Sequence, residues 1–322
     1  MRTFIAVAAV LVALTTPAKP VGFQQAAVPD PGASPLQVGI WYPSDALASP
    51  HQLALFTQNV AVDGQVAGAR LPLILISHGT GGSLSGHYDT ALALAEAGFV
   101  VAALSHAGDT YSDQSRLGQV GDRPRQVERV LDYMLGVWPA HDHIDSERIG
   151  IFGHSAGGFT ALVLLGAVPD FDRQGAYCTE HPEDWGCRMA KERHIVKSPA
   201  SAWIHDPRIK AAVLAAPAIG QSFSREGLVK VRVPIQLWRA EDDLILPHPY
   251  HAQAIRDALP EPPEYRVVPN AGHFDFLAPC NEALAQIAPE ICRENPGFDR
   301  TVFHRDLNAT IAEFFRKHLP AS

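Results

Sequence analysis

The stretch IGIFGHSAGG, residues 149–158, decides the fold of this chain. An apolar run ends in Gly-His-Ser-Ala-Gly, and a helix-compatible segment, residues 159–165, follows directly. This pattern is the Gly-x-Ser-x-Gly nucleophile elbow, a sharp turn that exposes a serine hydroxyl at the end of a strand. Gly153 and Gly157 fit such a turn because strand and helix backbones approach closely there. The stretch therefore predicts a strand, a turn with a nucleophilic Ser155, and a helix whose N-terminus faces the reacting group.

The composition is that of a globular protein with an acidic excess. Hydrophobic residues make up 47% of the 322 residues and charged residues 19%, enough for one large α/β domain or two small ones. The 34 acidic and 26 basic side chains give a net charge of −8, and no basic block occurs. A nucleic-acid partner is therefore disfavoured, because phosphate binding needs clustered positive charge.

The N-terminus has the features of a secretory signal peptide. Met1 and Arg2 give a short basic start, residues 4–14 are apolar, and residues 15–18 offer small side chains for cleavage. An uncleaved anchor is the alternative, and no other run approaches the ~18 apolar residues of a membrane span. We therefore expect a signal peptide over residues 1–18, an extended leader over 19–35, and an exported mature protein, periplasmic or extracellular, without a stable membrane span.

The cysteines fall into two local pairs. In an oxidising compartment the spacing favours Cys178–Cys187 and Cys280–Cys292, although three connectivities are possible for four cysteines. Neither pair has the Cys-x-x-Cys spacing of a redox site or a zinc ribbon. Four buried free thiols are the alternative.

Apolar runs and helical spacings alternate along the chain. Strands are predicted at 36–42, 71–77, 99–104, 149–153, 209–215, 233–238 and 265–268, with a weaker one within 51–62. Helices are predicted at 88–97, 124–135, 159–165, 248–259 and 307–319. This alternation predicts an α/β fold, a mostly parallel doubly wound sheet in a single catalytic domain over residues 36–322.

Residues 166–207 interrupt the alternation. They contain the first cysteine pair, two tryptophans and a cluster of charges. We interpret this segment as a lid inserted over the C-terminal edge of the sheet, where open α/β sheets bind ligands. The candidate pocket residues are His106, Phe159, Trp185 and Trp203. For each aromatic residue among them, plain packing is the alternative.

A nucleophilic serine needs a base and a carboxylate that orients the base. In this architecture the acid and the histidine follow the serine in that order, each on a loop after a strand. His273 directly follows the last predicted strand and is the candidate general base. Three adjacent acids, Glu241, Asp242 and Asp243, follow the strand at 233–238. Asp243 is preferred as the orienting acid, and Asp242 is its main rival.

The reaction also needs two N–H donors for the developing oxyanion. One candidate is the backbone N–H of Ala156, directly after the nucleophile. The other is Thr80, in the loop HGTGG at residues 78–82. A phosphate cradle is excluded for this loop because the Lys-Ser/Thr of a P-loop is missing. We expect no cofactor and no metal, although His248 and His251 lie one turn apart and leave a metal pair as an alternative.

With these residues in place, the chain resembles the α/β-hydrolases from about Leu36 to its C-terminus. The loop HGTGG and the elbow GHSAGG are similar to those of platelet-activating-factor acetylhydrolases and predicted dienelactone hydrolases. The leading Ile-Trp-Tyr-Pro and the Arg-Pro helix before the elbow fit the same branch. The resemblance implies that Thr80 and Ala156 supply the oxyanion hole. Dienelactone hydrolases proper use a cysteine nucleophile, and Ser155 departs from that pattern.

The sequence therefore predicts a secreted serine hydrolase that cleaves carboxylic esters through Ser155, His273 and Asp243. Small-molecule, lipid and polymer esters all remain possible substrates. A serine peptidase or amidase on the same fold is the first alternative, although no propeller-sized N-terminal domain is present to gate peptides. A non-catalytic binding module is the second, and it would require a broken triad position.

Overall fold

The computed structural model describes residues 20–195 and 198–321. The predicted signal peptide, residues 1–18, lies outside the described residues. Ten strands form one sheet in the order β10-β9-β8-β7-β5-β6-β2-β1-β4-β3. The strands are β1 Val21–Val28, β2 Leu36–Pro43, β3 Ser49–Leu53, β4 Phe56–Val62, β5 Leu71–Ser77, β6 Val100–Ser105, β7 Ile144–His154, β8 Ile209–Ala215, β9 Ile235–Ala240 and β10 Glu264–Val268.

Helices connect the strands and cover the sheet. The helices are α1 Tyr88–Glu96, α2 Arg123–Gly136, α3 Ala156–Leu164, α4 Phe171–Glu180, α5 Trp185–Glu192, α6 Arg225–Leu228, α7 Ala252–Ala258, α8 Glu282–Ile287, α9 Pro289–Cys292 and α10 Arg300–His318. Short 3₁₀ turns lie between them, including Gly220–Ser222 and His273–Phe276. No helix in the described part of the chain is long and apolar enough to cross a bilayer.

The parallel strands in the middle of the sheet are largely buried on both faces, whereas β10 at its edge is partly exposed. Neighbouring strands are parallel to each other throughout the series β6-β5-β7-β8-β9-β10. Along β7, Ile151 packs with α2 and α3 in one core cluster, whereas Phe152 packs with α1 and α10 in the other. Successive side chains of a strand point to opposite faces, so a strand covered on both sides is apolar throughout.

The N-terminal part of the sheet differs from the prediction. Residues 19–35, expected as an extended leader, contain β1, which pairs antiparallel with β2 along its whole length. The weak strand expected within 51–62 is a hairpin of two strands, β3 and β4, with Ala54 at positive φ in its turn. Apolar Val21, Phe23 and Val28 are buried here, so β1 is part of the sheet and its core rather than an extended leader.

The lid segment folds into two short helices that a disulfide joins. Asp170 caps α4, and Asp184 caps α5 by accepting from the backbone N–H groups of Gly186 and Cys187. Cys178 on α4 bonds to Cys187 on α5, and Cys280 bonds to Cys292 between α8 and α9. Both pairs have the connectivity that the spacing predicted. The first disulfide fixes the two lid helices to each other over the C-terminal end of the sheet.

Candidate active site

Ser155 lies on a strained turn between β7 and α3. Its backbone angles are φ 53° and ψ −117°, a conformation that a residue with a Cβ rarely adopts. Such a residue costs about 1–3 kcal/mol and persists only when its surroundings hold it. Here the Ser155 N–H donates to the Ala215 carbonyl at 3.0 Å, and the Ser155 carbonyl accepts from the Ala218 N–H at 2.9 Å. The turn is therefore held between β7 and the end of β8.

The two glycines of the motif allow the backbones to meet. A Cβ on Gly157 would lie 1.9 Å from the carbonyl oxygen of Ser77 at the end of β5. A Cβ on Gly153 would lie 2.2 Å from the carbonyl oxygen of Gly157. Real Cβ atoms do not approach oxygen so closely, so any larger residue would displace α3 from the sheet.

The structure brings the three predicted catalytic residues into one hydrogen-bonded line. The Ser155 Oγ lies 3.1 Å from His273 Nε2, and His273 Nδ1 lies 2.8 Å from Asp243 Oδ2. All three side chains are buried, with 8%, 5% and 7% of their surface exposed for Ser155, His273 and Asp243. If the imidazole is protonated on Nδ1, this N–H donates to Asp243, and Nε2 is free to accept the serine proton.

The structure also separates the two rival acids. Asp243 Oδ1 accepts from the backbone N–H groups of Ile245 at 2.9 Å and Leu246 at 2.7 Å, which leaves Oδ2 for His273. Asp242 is exposed, and its Oδ2 accepts at 3.3 Å from the Asn295 side chain. Of the two rival acids, Asp243 is therefore the one whose carboxylate contacts the imidazole.

Thr80 and Ala156 lie beside Ser155 on the wall of one cavity. The Ala156 N–H is the first of helix α3, so no helical carbonyl accepts from it. The HGTGG loop runs close to the serine, since a Cβ on Gly79 would lie 3.2 Å from Ser155 Cβ. The two expected oxyanion donors thus belong to backbone segments that flank the serine hydroxyl.

A buried ion pair holds the HGTGG loop, and sequence reasoning missed it. Arg123 at the start of α2 donates to the carbonyl oxygens of His78 at 2.7 Å and Gly79 at 3.2 Å. Its guanidinium also pairs with Asp109 Oδ2 at 2.9 Å, and Asp109 Oδ1 accepts from the Gly81 N–H at 2.8 Å. Arg123 and Asp109 are 1% and 3% exposed. Together they fix the peptide groups on both sides of Thr80.

Arg123→Lys is expected to lower kcat for the reaction at Ser155 by about tenfold to a hundredfold, less than the loss of an oxyanion donor itself. A lysine keeps the charge but cannot donate to three acceptors in a fixed fork. Because Arg123 is buried behind the loop and does not line the cavity, KM is expected to change by less than about threefold.

Arg125→Lys is the matched control for Arg123→Lys, since Arg125 lies on the same helix and pairs with Asp30, away from the loop. Steady-state kinetics of both variants test the role of the loop clamp. Equal losses of kcat in the two variants, or a change in KM alone, would contradict the role of Arg123 in fixing the loop.

A cavity of about 400 Å³ opens above Ser155, between the sheet and the lid. Its walls are mostly apolar, and both lid helices and the Cys178–Cys187 disulfide contribute to them. Trp185, one of the predicted pocket residues, lines the cavity at the start of α5. The lid therefore forms most of the wall opposite the serine.

Three other predicted pocket residues lie outside this lining. His106 is fully buried behind the HGTGG loop, where Ser77 Oγ at 2.8 Å and Gln126 Oε1 at 2.7 Å hold its two ring nitrogens. Phe159 and Trp203 form an aromatic layer one residue deeper, with Trp203 stacked on the cavity residue Phe171 at 5.7 Å. These three side chains are thus held by neighbouring residues and do not line the cavity above Ser155.

Several buried histidines surround the site in their neutral form. Burial lowers the pKa of His78 to about 3 and the pKa of His87 to about 4. Burial also holds the pKa values of His106 and His154 well below the ordinary value of 6.5. The ring of His154 lies 4.9 Å from that of His273, so this histidine cluster adjoins the hydrogen-bonded residues Ser155, His273 and Asp243.

The free energy of unfolding is expected to fall as the pH drops from about 6.5 to about 4. The folded state keeps these histidines neutral, whereas the unfolded chain binds a proton at each one below its ordinary pKa of 6.5. Each such histidine contributes up to about 1.4 kcal/mol per pH unit in this window. Urea unfolding at several pH values between 7.5 and 4 measures how the free energy of unfolding changes with pH. A free energy that does not change with pH would contradict the burial of these histidines in their neutral form.

The two histidines of the alternative metal pair differ in burial. His248 is exposed and His251 is buried. Within residues 20–195 and 198–321, no three histidine, cysteine, aspartate or glutamate side chains are grouped as metal ligands.

Comparison with known proteins agrees with this architecture. The profile of the Alpha/beta hydrolase family matches residues 73–287, whereas a search of curated proteins finds no match. Among solved structures 819 chains match, including a ferulic acid esterase from Streptomyces cinnamoneus. That structure has a TM-score of 0.64 and 21% sequence identity, over 96% of this chain and 92% of its own. The likeness is one of fold, and the predicted doubly wound sheet with its helices on both faces is confirmed.

Proposed function

This chain belongs to the alpha/beta hydrolase family, and on that premise we propose that it is a serine esterase. The observation that carries the proposal is the line from Ser155 Oγ to His273 Nε2 at 3.1 Å and from His273 Nδ1 to Asp243 at 2.8 Å. The line ends at a mostly apolar cavity large enough for a small or medium ester. This arrangement is suited to acyl transfer through a covalent serine intermediate.

The reaction proceeds in two steps. His273 Nε2 accepts the Ser155 proton as Oγ bonds to the ester carbonyl carbon, and Asp243 stabilises the imidazolium that forms. The backbone N–H groups of Thr80 and Ala156 stabilise the negative carbonyl oxygen. His273 then passes the proton to the alcohol oxygen as the carbon–oxygen bond breaks, which leaves the acyl group on Ser155. A water molecule gives a proton to His273 and attacks the acyl carbon, and Ser155 leaves with that proton restored.

Three finer assignments follow from the same proposal. We place the chain in the branch of platelet-activating-factor acetylhydrolases and predicted dienelactone hydrolases, and the loop HGTGG and elbow GHSAGG support this placement. We also propose that the protein is exported after removal of residues 1–18, which the two disulfides support. The catalytic domain then begins with β1 and includes residues 166–207 as its lid.

A chain-length series of nitrophenyl esters, run beside peptide and aryl amides, tests the function. We expect hydrolysis of short and medium acyl esters, because the cavity of about 400 Å³ above Ser155 limits acyl size. We expect little activity on amides. The esterase similar in fold gives a reason to include aromatic acyl groups in the series. Amide hydrolysis at rates equal to those of the esters would favour a peptidase or amidase. Activity confined to long-chain esters would contradict the expected acyl range.

A further inference from the structure

Two polar side chains on the cavity wall have atoms without a hydrogen-bond partner. His251 is 4% exposed, and neither of its ring nitrogens is hydrogen-bonded to any described residue. The Oε1 of Gln221 is likewise buried and unpaired within the described part of the chain. Both residues line the cavity that contains Ser155. An unpaired buried polar group costs about 1–3 kcal/mol, so two on one wall need an explanation.

Two neighbouring polar side chains on this wall, those of Asp184 and Gln174, are already paired. Asp184 caps α5 through Oδ1, and its Oδ2 accepts from the Tyr177 hydroxyl at 3.0 Å. The Gln174 Oε1 accepts from Gln221 Nε2 at 2.6 Å, and the Gln174 Nε2 donates to Cys178 Sγ at 3.4 Å. Among the described residues that line the cavity, the buried polar atoms without a partner are the two ring nitrogens of His251 and the Oε1 of Gln221.

His251 and Gln221 belong to two backbone segments in direct contact. Gln221 lies in the 3₁₀ turn Gly220–Ser222, and His251 immediately precedes α7. A Cβ on Gly220 would lie 2.3 Å from the carbonyl oxygen of His251, so the two segments touch. The ring of Tyr177 on the lid lies 6.2 Å from the His251 ring, in an edge-to-face arrangement.

The chemistry of this wall calls for a neutral group that can both donate and accept. Burial lowers the pKa of His251 to about 4, against the opposing effect of Asp184 and Asp243, so near neutral pH its ring has one donor and one acceptor nitrogen. The Gln221 oxygen only accepts. A carboxylate would bring a second negative charge beside Asp184 and could not donate to Gln221. Lys191 and Asp184 give the cavity lining one charge of each sign, so its net charge favours neither a cation nor an anion.

We propose that His251 and Gln221 form a polar subsite that binds a hydroxyl group of the substrate, on its acyl or its alcohol part. The hydroxyl donates to Gln221 Oε1 and accepts from the N–H of His251, while the apolar walls hold the remaining carbon chain. The subsite rests on the proposed esterase function, since it deepens the specificity of the same cavity. It makes a hydroxy ester the preferred substrate class.

Matched pairs of esters test the subsite. One set compares methyl alkanoates of six to ten carbons with their terminally hydroxylated counterparts, and a second compares butyrate esters of alkanols and of the matching diols. Hydrolysis is followed by titration of the released acid. In the native enzyme, at least one hydroxylated ester is expected to have a kcat/KM about fivefold to tenfold above its partner, the worth of about one net hydrogen bond. Absence of any such preference would overturn the subsite.

The variants His251→Phe and Gln221→Leu are each expected to reduce this preference to about onefold to twofold, because each removes one partner of the hydroxyl. His181→Phe is the control. His181 lies on the lid outside the cavity lining, and its ring packs 4.6 Å from the Tyr177 ring. The His181→Phe enzyme should show the same preference for hydroxylated esters as the native enzyme. Thermal unfolding confirms that each variant is folded. If His251→Phe does not fold, the subsite is tested with Gln221→Leu alone, through the same ratio of kcat/KM between hydroxylated and unhydroxylated esters.

Three outcomes would count against the subsite in different ways. A preference that survives both substitutions would place the hydroxyl elsewhere in the cavity and overturn it. The matching amino esters are measured beside the hydroxy esters, and a stronger preference for the amino esters would replace the subsite with a cation site. Hydrolysis of alkyl esters without any hydroxyl preference overturns the subsite alone, whereas failure of the native enzyme to hydrolyse any ester in either set overturns the proposed function.

Discussion

Ser155→Ala is expected to lower kcat for ester hydrolysis by about five orders of magnitude or more, with the fold retained. The substitution removes the oxygen that bonds to the acyl carbon, and neither His273 nor the oxyanion donors can replace it. Alanine has the same Cβ as serine, so it bears the same strain at φ 53° and the turn does not change further. Nitrophenyl ester kinetics and thermal unfolding of the purified variant provide the two readouts.

Ser85→Ala is the matched control for Ser155→Ala. Ser85 is buried in the segment between β5 and α1, but its hydroxyl pairs with Ser83 at 2.9 Å rather than with a histidine. We expect its activity to stay within about twofold of the native enzyme, as for a substitution that touches no catalytic group. A folded Ser155→Ala variant with more than about one per cent of native activity would show that another nucleophile carries the reaction.

Asp243→Asn is expected to lower kcat by about three to four orders of magnitude. The amide can present its NH₂ group to His273 Nδ1, which stabilises the tautomer whose Nε2 carries the proton and cannot accept another from Ser155. The two backbone N–H groups of Ile245 and Leu246 hold Oδ1 in place, so this amide orientation is the favoured one. Kinetics at saturating ester measure the effect directly.

Asp242→Asn is the matched comparison, one residue away. Asp242 is exposed and contacts Asn295 rather than His273, so its substitution is expected to change kcat by less than about twofold. The pair of variants decides between the two acids that the sequence alone leaves as rivals. A large loss in Asp242→Asn with a small one in Asp243→Asn would reverse the assignment of the orienting acid.

The centre of the sheet could be predicted from the sequence because β5 and β6 are almost continuous apolar runs and β7 ends in one. The N-terminal edge could not, because β1 carries Gln24 and Gln25 in its middle and resembles a polar leader. Its pairing with β2 supplies backbone hydrogen bonds that local sequence does not reveal. The lid was predicted as an interruption of the alternation, but its two helices depend on caps and on a disulfide across nine residues.

In the candidate site, too, residues in local motifs could be predicted, whereas contacts between distant parts of the chain could not. Ser155 and His273 could be placed because the fold dictates their order along the chain and their positions after strands. Arg123 contacts the HGTGG loop across 44 and 45 residues, and such a contact has no signature in a single sequence. The choice of Asp243 over Asp242 likewise depends on which carboxylate the loop turns inward. His251, first considered as a metal ligand, is recognisable as part of the cavity wall only once α7 and the lid are in place.

Covalent trapping with a fluorophosphonate tests the central claim most directly. The reagent reacts with a serine hydroxyl that a neighbouring base activates, and intact-protein mass spectrometry measures the extent of labelling. We expect one label per chain in the native enzyme, located on Ser155 by peptide mapping and absent from Ser155→Ala. An unlabelled native enzyme that is folded, or a label on any other residue, would contradict Ser155 as the nucleophile of a serine esterase.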